Sequence, residues 1–128
     1  YTERIRQDLK FMPYVPILFI SAKSGQRVDQ VLPLAVKVQE ERIARLSTSQ
    51  INRILQAAQD NHAATSRSGR SLHIYYGTQV RSDPPTFMVF VNDPKLAHFT
   101  YIRYLENQFR KEYAFTGTPI RFVLKSRR

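Results

Sequence analysis

The sequence predicts an α+β fold: a three-stranded sheet with helices on one face, preceded by an incomplete α/β piece. Three observations predict it. After residue 46 the apolar pattern runs helix, strand, strand, helix, strand, with the period changing between 3.6 and 2. Before residue 46 it runs helix, single strand, helix, and one strand apolar on both faces has unpaired edges and uncovered surfaces. Hydrophobic residues are 42% of the chain, enough for a core rather than a disordered tail.

The elements follow in order. Ile5, Leu9 and Met12 recur at helical spacing within Tyr1–Met12, and Pro13 and Pro16 end that helix. Ile17–Ile20 reads as a central strand, apolar on both sides. A second helix is expected from about Arg27 to Arg45, with Pro33 in its early turns. The domain boundary is placed near Leu46, giving segments 1–46 and 47–128. Ser47 and Gln50 have the spacing of a capping box, and Ile51, Ile54, Leu55 and Ala58 form one helical face behind it. His62–Arg70 is a polar loop. A strand is expected over Leu72–Val80, with Leu72, Ile74 and Tyr76 on one side. Asp83-Pro84-Pro85 turns the chain into a second strand, Phe87–Val91, and Asn92-Asp93-Pro94 turns it again. The next helix runs from Lys95 or His98 to Tyr113, buries Phe99, Ile102, Leu105 and Phe109, and shows Arg103, Asn107, Arg110 and Lys111 on its other face. Gly117-Thr118-Pro119 breaks the chain before a last strand in which Ile120, Phe122 and Leu124 alternate with Arg121 and Lys125.

Charge narrows the function classes. Net charge is +10, and it is uneven: residues 1–46 carry +3 and residues 47–128 carry +7. A polyanion is the expected partner of the second segment, nucleic acid before membrane. No apolar run approaches the ~18 residues of a membrane span, and no signal peptide is visible. With no cysteine the chain has no disulfide, thiol nucleophile or thiolate-bound metal, which is compatible with a cytoplasmic protein. His62, His73 and His98 are too scattered for a metal site, and no acid, base and nucleophile set converges, so no catalytic residue is assigned.

Two stretches carry resemblances. Pro16-Ile-Leu-Phe-Ile-Ser-Ala-Lys-Ser-Gly25 passes from strand character into a turn and then a helix. Ser21-Ala22-Lys23 resembles the last guanine-recognition loop of the GTPase superfamily, in which the backbone N–H at the Ala position points at guanine O6. The second segment looks like the C-terminal KH-like domain of the EngA/Der family, bacterial GTPases with two tandem GTPase domains that act in ribosome assembly. The matching stretches are Ser47-Thr48-Ser49 with Asn52-Arg53, Tyr75–Val80 followed by Pro84–Phe87, Phe90–Pro94, Tyr104–Gln108 and Gly117–Arg121. Pro33 and the Ala63-Ala64 pair depart from the family pattern.

The resemblance implies a KH-like α-β-β-α-β sandwich over residues 47–128, and over residues 1–46 the end of a GTPase domain (helix, strand, guanine loop, helix). It implies GTP or GDP and Mg²⁺ as cofactors of the parent GTPase, and none for this fragment. The sequence contains no G-x-x-x-x-G-K-[ST], D-x-x-G or N-K-x-D. The phosphate cradle, switch and second guanine contact are therefore missing, and the fragment alone is not expected to hydrolyse GTP.

The four glycines, at 25, 69, 77 and 117, form no G-x-x-G loop, so RNA affinity is expected from phosphates meeting Lys and Arg. The candidates are Arg67, Arg70, Arg81, Arg103, Arg110, Lys111, Arg121 and Lys125, with Arg127 and Arg128 at the end of the chain. Tyr75 and Phe90 offer faces for bases, but a strand aromatic is usually a core or cross-strand partner, and core is the favoured reading. The expected partner is ribosomal RNA or the large ribosomal subunit. The alternative is a protein-interaction module that packs against the parent's GTPase domains and responds to nucleotide state.

Overall fold

A computed structural model describes residues 1–62 and 69–127. The order is α1 (Thr2–Asp8), α2 (Val31–Arg42), α3 (Thr48–Asn61), β1 (Ile74–Ser82), β2 (Pro85–Val91), α4 (Phe99–Glu112) and β3 (Arg121–Ser126). Single 3₁₀ turns at Val28–Gln30 and Pro94–Leu96 precede α2 and α4. The strands form one mixed sheet in the order β1-β2-β3, antiparallel between β1 and β2 and parallel between β2 and β3.

The second segment builds the core. Ser47 Oγ accepts the Gln50 N–H at 3.2 Å while Gln50 Oε1 accepts the Ser47 N–H at 3.0 Å, the expected capping box. The stripe Ile51, Ile54, Leu55 and Ala58 is buried. Gly77 on β1 lets α3 close down on the sheet: a Cβ there would lie 2.7 Å from Leu55 Cδ1 and 3.1 Å from the Met88 carbonyl oxygen. From α4, Phe109 meets Phe87 of β2 at 4.7 Å between ring centroids and Phe122 of β3 at 5.1 Å. Both helices thus cover the same sheet face.

Two inward assignments shift. The core residues of α4 are Tyr101, Leu105 and Phe109, while Phe99 is 71% exposed and Ile102 half-buried. Phe99 opens the helix, with the Arg103 guanidinium 4.9 Å from its ring centroid. Tyr101 is accepted inside because its hydroxyl donates to the His62 carbonyl at 3.0 Å. On β1, an irregular register between Ile74 and Tyr76 turns Tyr76 outward, so Ile74, Gly77 and Gln79 face the helices.

Residues 1–46 depart more. No strand forms over Ile17–Ile20; nearby, a single bridge joins Ser21 to Gln26. With no neighbouring strand the backbone has no ladder to join. α1 stops at Asp8, short of Met12, and α2 at Arg42. Pro33 is the third residue of α2, where its missing N–H leaves no intrahelical bond unmade.

The end of α2 is tied to the turn after α4, and the segment behind it to the sheet. Glu41, the one buried residue of α2, accepts the Thr116 N–H at 3.0 Å. Gly117 donates its N–H to the Tyr14 carbonyl at 3.0 Å and has φ +74°. A Cβ on Gly117 would lie 2.8 Å from Val38, so the contact requires glycine twice over. Buried Gln79 accepts the Leu46 N–H at 2.8 Å and donates to the Ala44 carbonyl at 2.9 Å. One amide thereby satisfies a backbone donor and a backbone acceptor of the connecting segment.

Candidate nucleic-acid interface

The sheet's other face has no helix over it among the described residues. Strand register assigns its side chains, because cross-strand partners point to the same side. Tyr76 pairs with Phe90 and Phe90 with Lys125; Thr78 pairs with Met88 and Met88 with Val123; Arg81 pairs with Thr86 and Thr86 with Arg121. Three rows thus cross the open face. One is Tyr76–Phe90–Lys125, the next Thr78–Met88–Val123, and the last Arg81–Thr86–Arg121. The intervening rows, such as Gly77–Val89–Leu124 and Gln79–Phe87–Phe122, face the helices. A second register shift between Gln79 and Arg81 lets β1 place Arg81 outward opposite Thr86, with Val80 47% exposed beside it.

These rows gather three of the candidate cations. Arg81, Arg121 and Lys125 are exposed and contributed by both edge strands, and none lies within ion-pair distance of a carboxylate among the described residues. No Asp or Glu occurs in the three rows. Aromatic surface lies beside the charge: Tyr76 and Phe90 stack at 4.6 Å between centroids and 22° between planes. Tyr75, at the β1 edge, carries the Arg127 guanidinium 4.6 Å from its ring centroid. The core reading of Tyr75 and Phe90 is corrected here. Tyr75 is 40% exposed, and Phe90 is half-buried on the open face with Tyr76 as its cover.

The other candidates fall elsewhere. Arg103 and Lys111 are exposed on α4, away from the open face. Arg110 is engaged internally: it donates to the carbonyls of Ala114, Phe115 and Thr118 at 3.0, 3.1 and 2.9 Å, pairs with Glu106 at 3.1 Å, and lies 4.5 Å from the Tyr14 ring centroid. With its side chain 16% exposed, it closes the turn after α4. Arg70 pairs with Asp93 at 3.5 Å. Arg67 and Arg128 lie outside the described residues.

Ser21, Ala22 and Lys23 form an exposed-rimmed turn. Ser21 Oγ accepts the Ser24 N–H at 3.3 Å and the Ser21 carbonyl accepts the Gly25 N–H at 2.8 Å. These bonds hold the turn from below, and among the described residues the Ala22 N–H has no acceptor. Ala22 and Lys23 are exposed. A donor left free on a small residue suits close approach by a planar carbonyl-bearing base. No group of three or more His, Asp or Glu side chains suited to a metal occurs among the described residues. No described helix is long and apolar enough to cross a membrane.

Sequence reasoning missed Tyr76, Thr78, Met88 and Val123 as parts of this face. A signal was present in the alternation of β3, whereas β2 is apolar on both faces over Phe87–Val91 and did not mark its outward side. The irregularity in β1 hid Tyr76, and an exposed Met or Val looks like any other strand residue.

Comparison with known proteins bears on this geometry. The family described as KH-domain-like of EngA bacterial GTPase enzymes, C-terminal, matches residues 45–125. Relatives named GTPase Der include that of Caldanaerobacter subterraneus subsp. tengcongensis, 48% identical over 127 residues, and that of Limosilactobacillus reuteri, 44% identical over 127 residues. Each alignment covers 99% of this chain and 29% of the relative. That of Agathobacter rectalis is 46% identical over 128 residues, covering 100% of this chain and 29% of the relative. The chain therefore spans about 29% of the length of the relatives it matches.

Proposed function

The chain belongs to the family of KH-domain-like C-terminal regions of EngA bacterial GTPases, and on that premise we propose that it docks on RNA through the open face of its sheet. The RNA is ribosomal, on its own or within the large subunit during assembly. The supporting observation is the outer-row chemistry: Arg81, Arg121 and Lys125 on one face, with no carboxylate in its three rows. Such a face attracts phosphates from any direction, and affinity comes mainly from counterion release. Arg103 and Lys111 on α4 extend the basic field and are secondary contacts. In a longer protein of this family, Ser21, Ala22 and Lys23 line the guanine of GTP or GDP, with the Ala22 N–H meeting O6. Residues outside this chain hold the phosphates and Mg²⁺. The ties of α2 and of the segment Ala44–Leu46 to the second segment then link the nucleotide loop to the docking face.

A salt titration of the chain binding fluorescent large-subunit RNA tests this reading, with an unrelated RNA of equal length as control. Charge reversal at Arg81, Arg121 and Lys125 together is expected to remove about two to three units from the slope of log affinity against log salt, at about 0.7–0.9 per phosphate contact. Reversal at Arg103 and Lys111 removes less. An unchanged slope in the first triple variant overturns the choice of face. No binding at low salt overturns RNA docking and leaves packing against GTPase domains, for which the apolar Thr78–Met88–Val123 row is the suited contact.

A further inference from the structure

We propose that the open face takes single-stranded rather than duplex RNA, and does so by stacking an unpaired base on Tyr76. The proposal rests on the RNA-docking reading above and specifies its ligand. Tyr76 is 45% exposed, and one side of its ring is held by Phe90 at 4.6 Å and a 22° tilt. Phe90 is half-buried, so the pair is a supported platform rather than a loose side chain. Tyr76 stands on an edge strand of the sheet, where no further strand covers it among the described residues.

Charge stands where a strand's backbone would follow. Lys125 lies in the same row as Tyr76 and Phe90, two strand spacings from Tyr76, or about 10 Å. Arg121 pairs with Thr86, four residues along β2 from Phe90 and therefore about 13 Å away. A base on Tyr76 leaves its phosphates free to run across the sheet toward these cations. Aromatic stacking beside a cationic track is a sequence-tolerant means of holding single strands. A duplex has its bases stacked internally and offers backbone, 2′-hydroxyls and base edges but no base face to such a platform. The missing G-x-x-G loop removes the usual KH backbone clamp, which leaves this platform as the face's means of contacting bases.

The measurement is fluorescence anisotropy of a labelled 12-nucleotide RNA of mixed sequence, alone or annealed to its complement, at one salt concentration. The single strand is expected to bind about 10-fold tighter. Tyr76→Leu, which keeps an apolar cover on Phe90 but has no π face, is expected to weaken single-strand binding by roughly 5-fold or more. It is expected to leave the salt slope unchanged. Tyr76→Phe should bind as the unaltered chain does, and thermal melts confirm that both variants are folded. Equal binding of duplex and single strand, or no loss in Tyr76→Leu, overturns base stacking while phosphate docking stands. Failure of both RNAs to bind at low salt overturns the docking reading and this inference together.

Discussion

Residues 1–46 and residues 47–127 spend their apolar side chains differently. Every buried hydrophobic residue among those described lies between Ile51 and Ile120. Before Ser47 the one buried residue is Glu41, while Phe11, Phe19, Ile20, Leu32, Val36 and Ile43 are exposed. An apolar groove of about 350 Å³ lies open along Pro16, Leu18, Ile20, Val31, Leu34 and Val38. α3 is apolar on one stripe and finishes its packing within this chain. α2 is apolar on every side over Val31–Val36, and such a stretch needs cover on several sides. The contrast shows that hydrophobic content does not make a core; side chains must be brought together by a closed sheet or bundle. The first segment is held mainly by polar ties, Tyr14 to Gly117, Glu41 to Thr116, Arg42 to Asp83, and Gln79 to Ala44 and Leu46, with Ala44 and Leu46 also packing against the core's edge.

The contrast can be broken at its strongest point first. Phe87→Ala removes a ring with no exposure that touches Phe109, Phe115 and Phe122. A loss of about 3–5 kcal/mol is expected in urea unfolding followed by circular dichroism. Glu41→Ala tests whether the first segment is held by its ties. It leaves the Thr116 N–H without its carboxylate, at about 1.5–3 kcal/mol for a charge-assisted bond. Faster amide exchange at Thr116, with the α3 and α4 amides unchanged, is the expected readout. Equal loss of protection across the sheet would mean that the two regions unfold as one. Gly77→Ala forces a Cβ against Leu55 and is expected to cost about 1–3 kcal/mol by overpacking. Val36→Ala, on an exposed turn of α2, should change stability by no more than about 0.5 kcal/mol.

A pH measurement sharpens the same comparison. Burial, and to a lesser degree neighbouring Tyr104, pushes the Tyr101 phenol above its ordinary value. Its hydroxyl must stay protonated to donate to the His62 carbonyl. The folded form thus binds this proton more tightly than the unfolded one. The resulting stability is fully present below the unfolded tyrosine value of about 10 and is lost as pH rises through the higher folded value. Alkaline unfolding read by circular dichroism should begin later in Tyr101→Phe, at the cost of roughly 1 kcal/mol at neutral pH.

Local chemistry by itself determined much of this protein. The Ser47–Gln50 capping box, the stripe Ile51–Ala58 and the apolar run Phe87–Val91 depend on neighbours a few residues away. Such signals survive in a linear reading because a cap or a periodic face is set by nearest-turn geometry. The α-β-β-α-β order follows from them, while the KH-like class rests on the resemblance and on the family match over residues 45–125. Tertiary structure decided what depends on distant partners. Ile17–Ile20 has strand chemistry but finds no strand to pair with. Tyr76 faces outward because β1 slips register against β2. Arg110 resembles its exposed neighbours in sequence, yet the turn at Ala114–Thr118 folds back and takes its donors. Arg81, Arg121 and Lys125, up to 44 positions apart, share one face only because β2 lies between β1 and β3. Sheet order and register are set by contacts between remote segments, and those contacts selected the three cations.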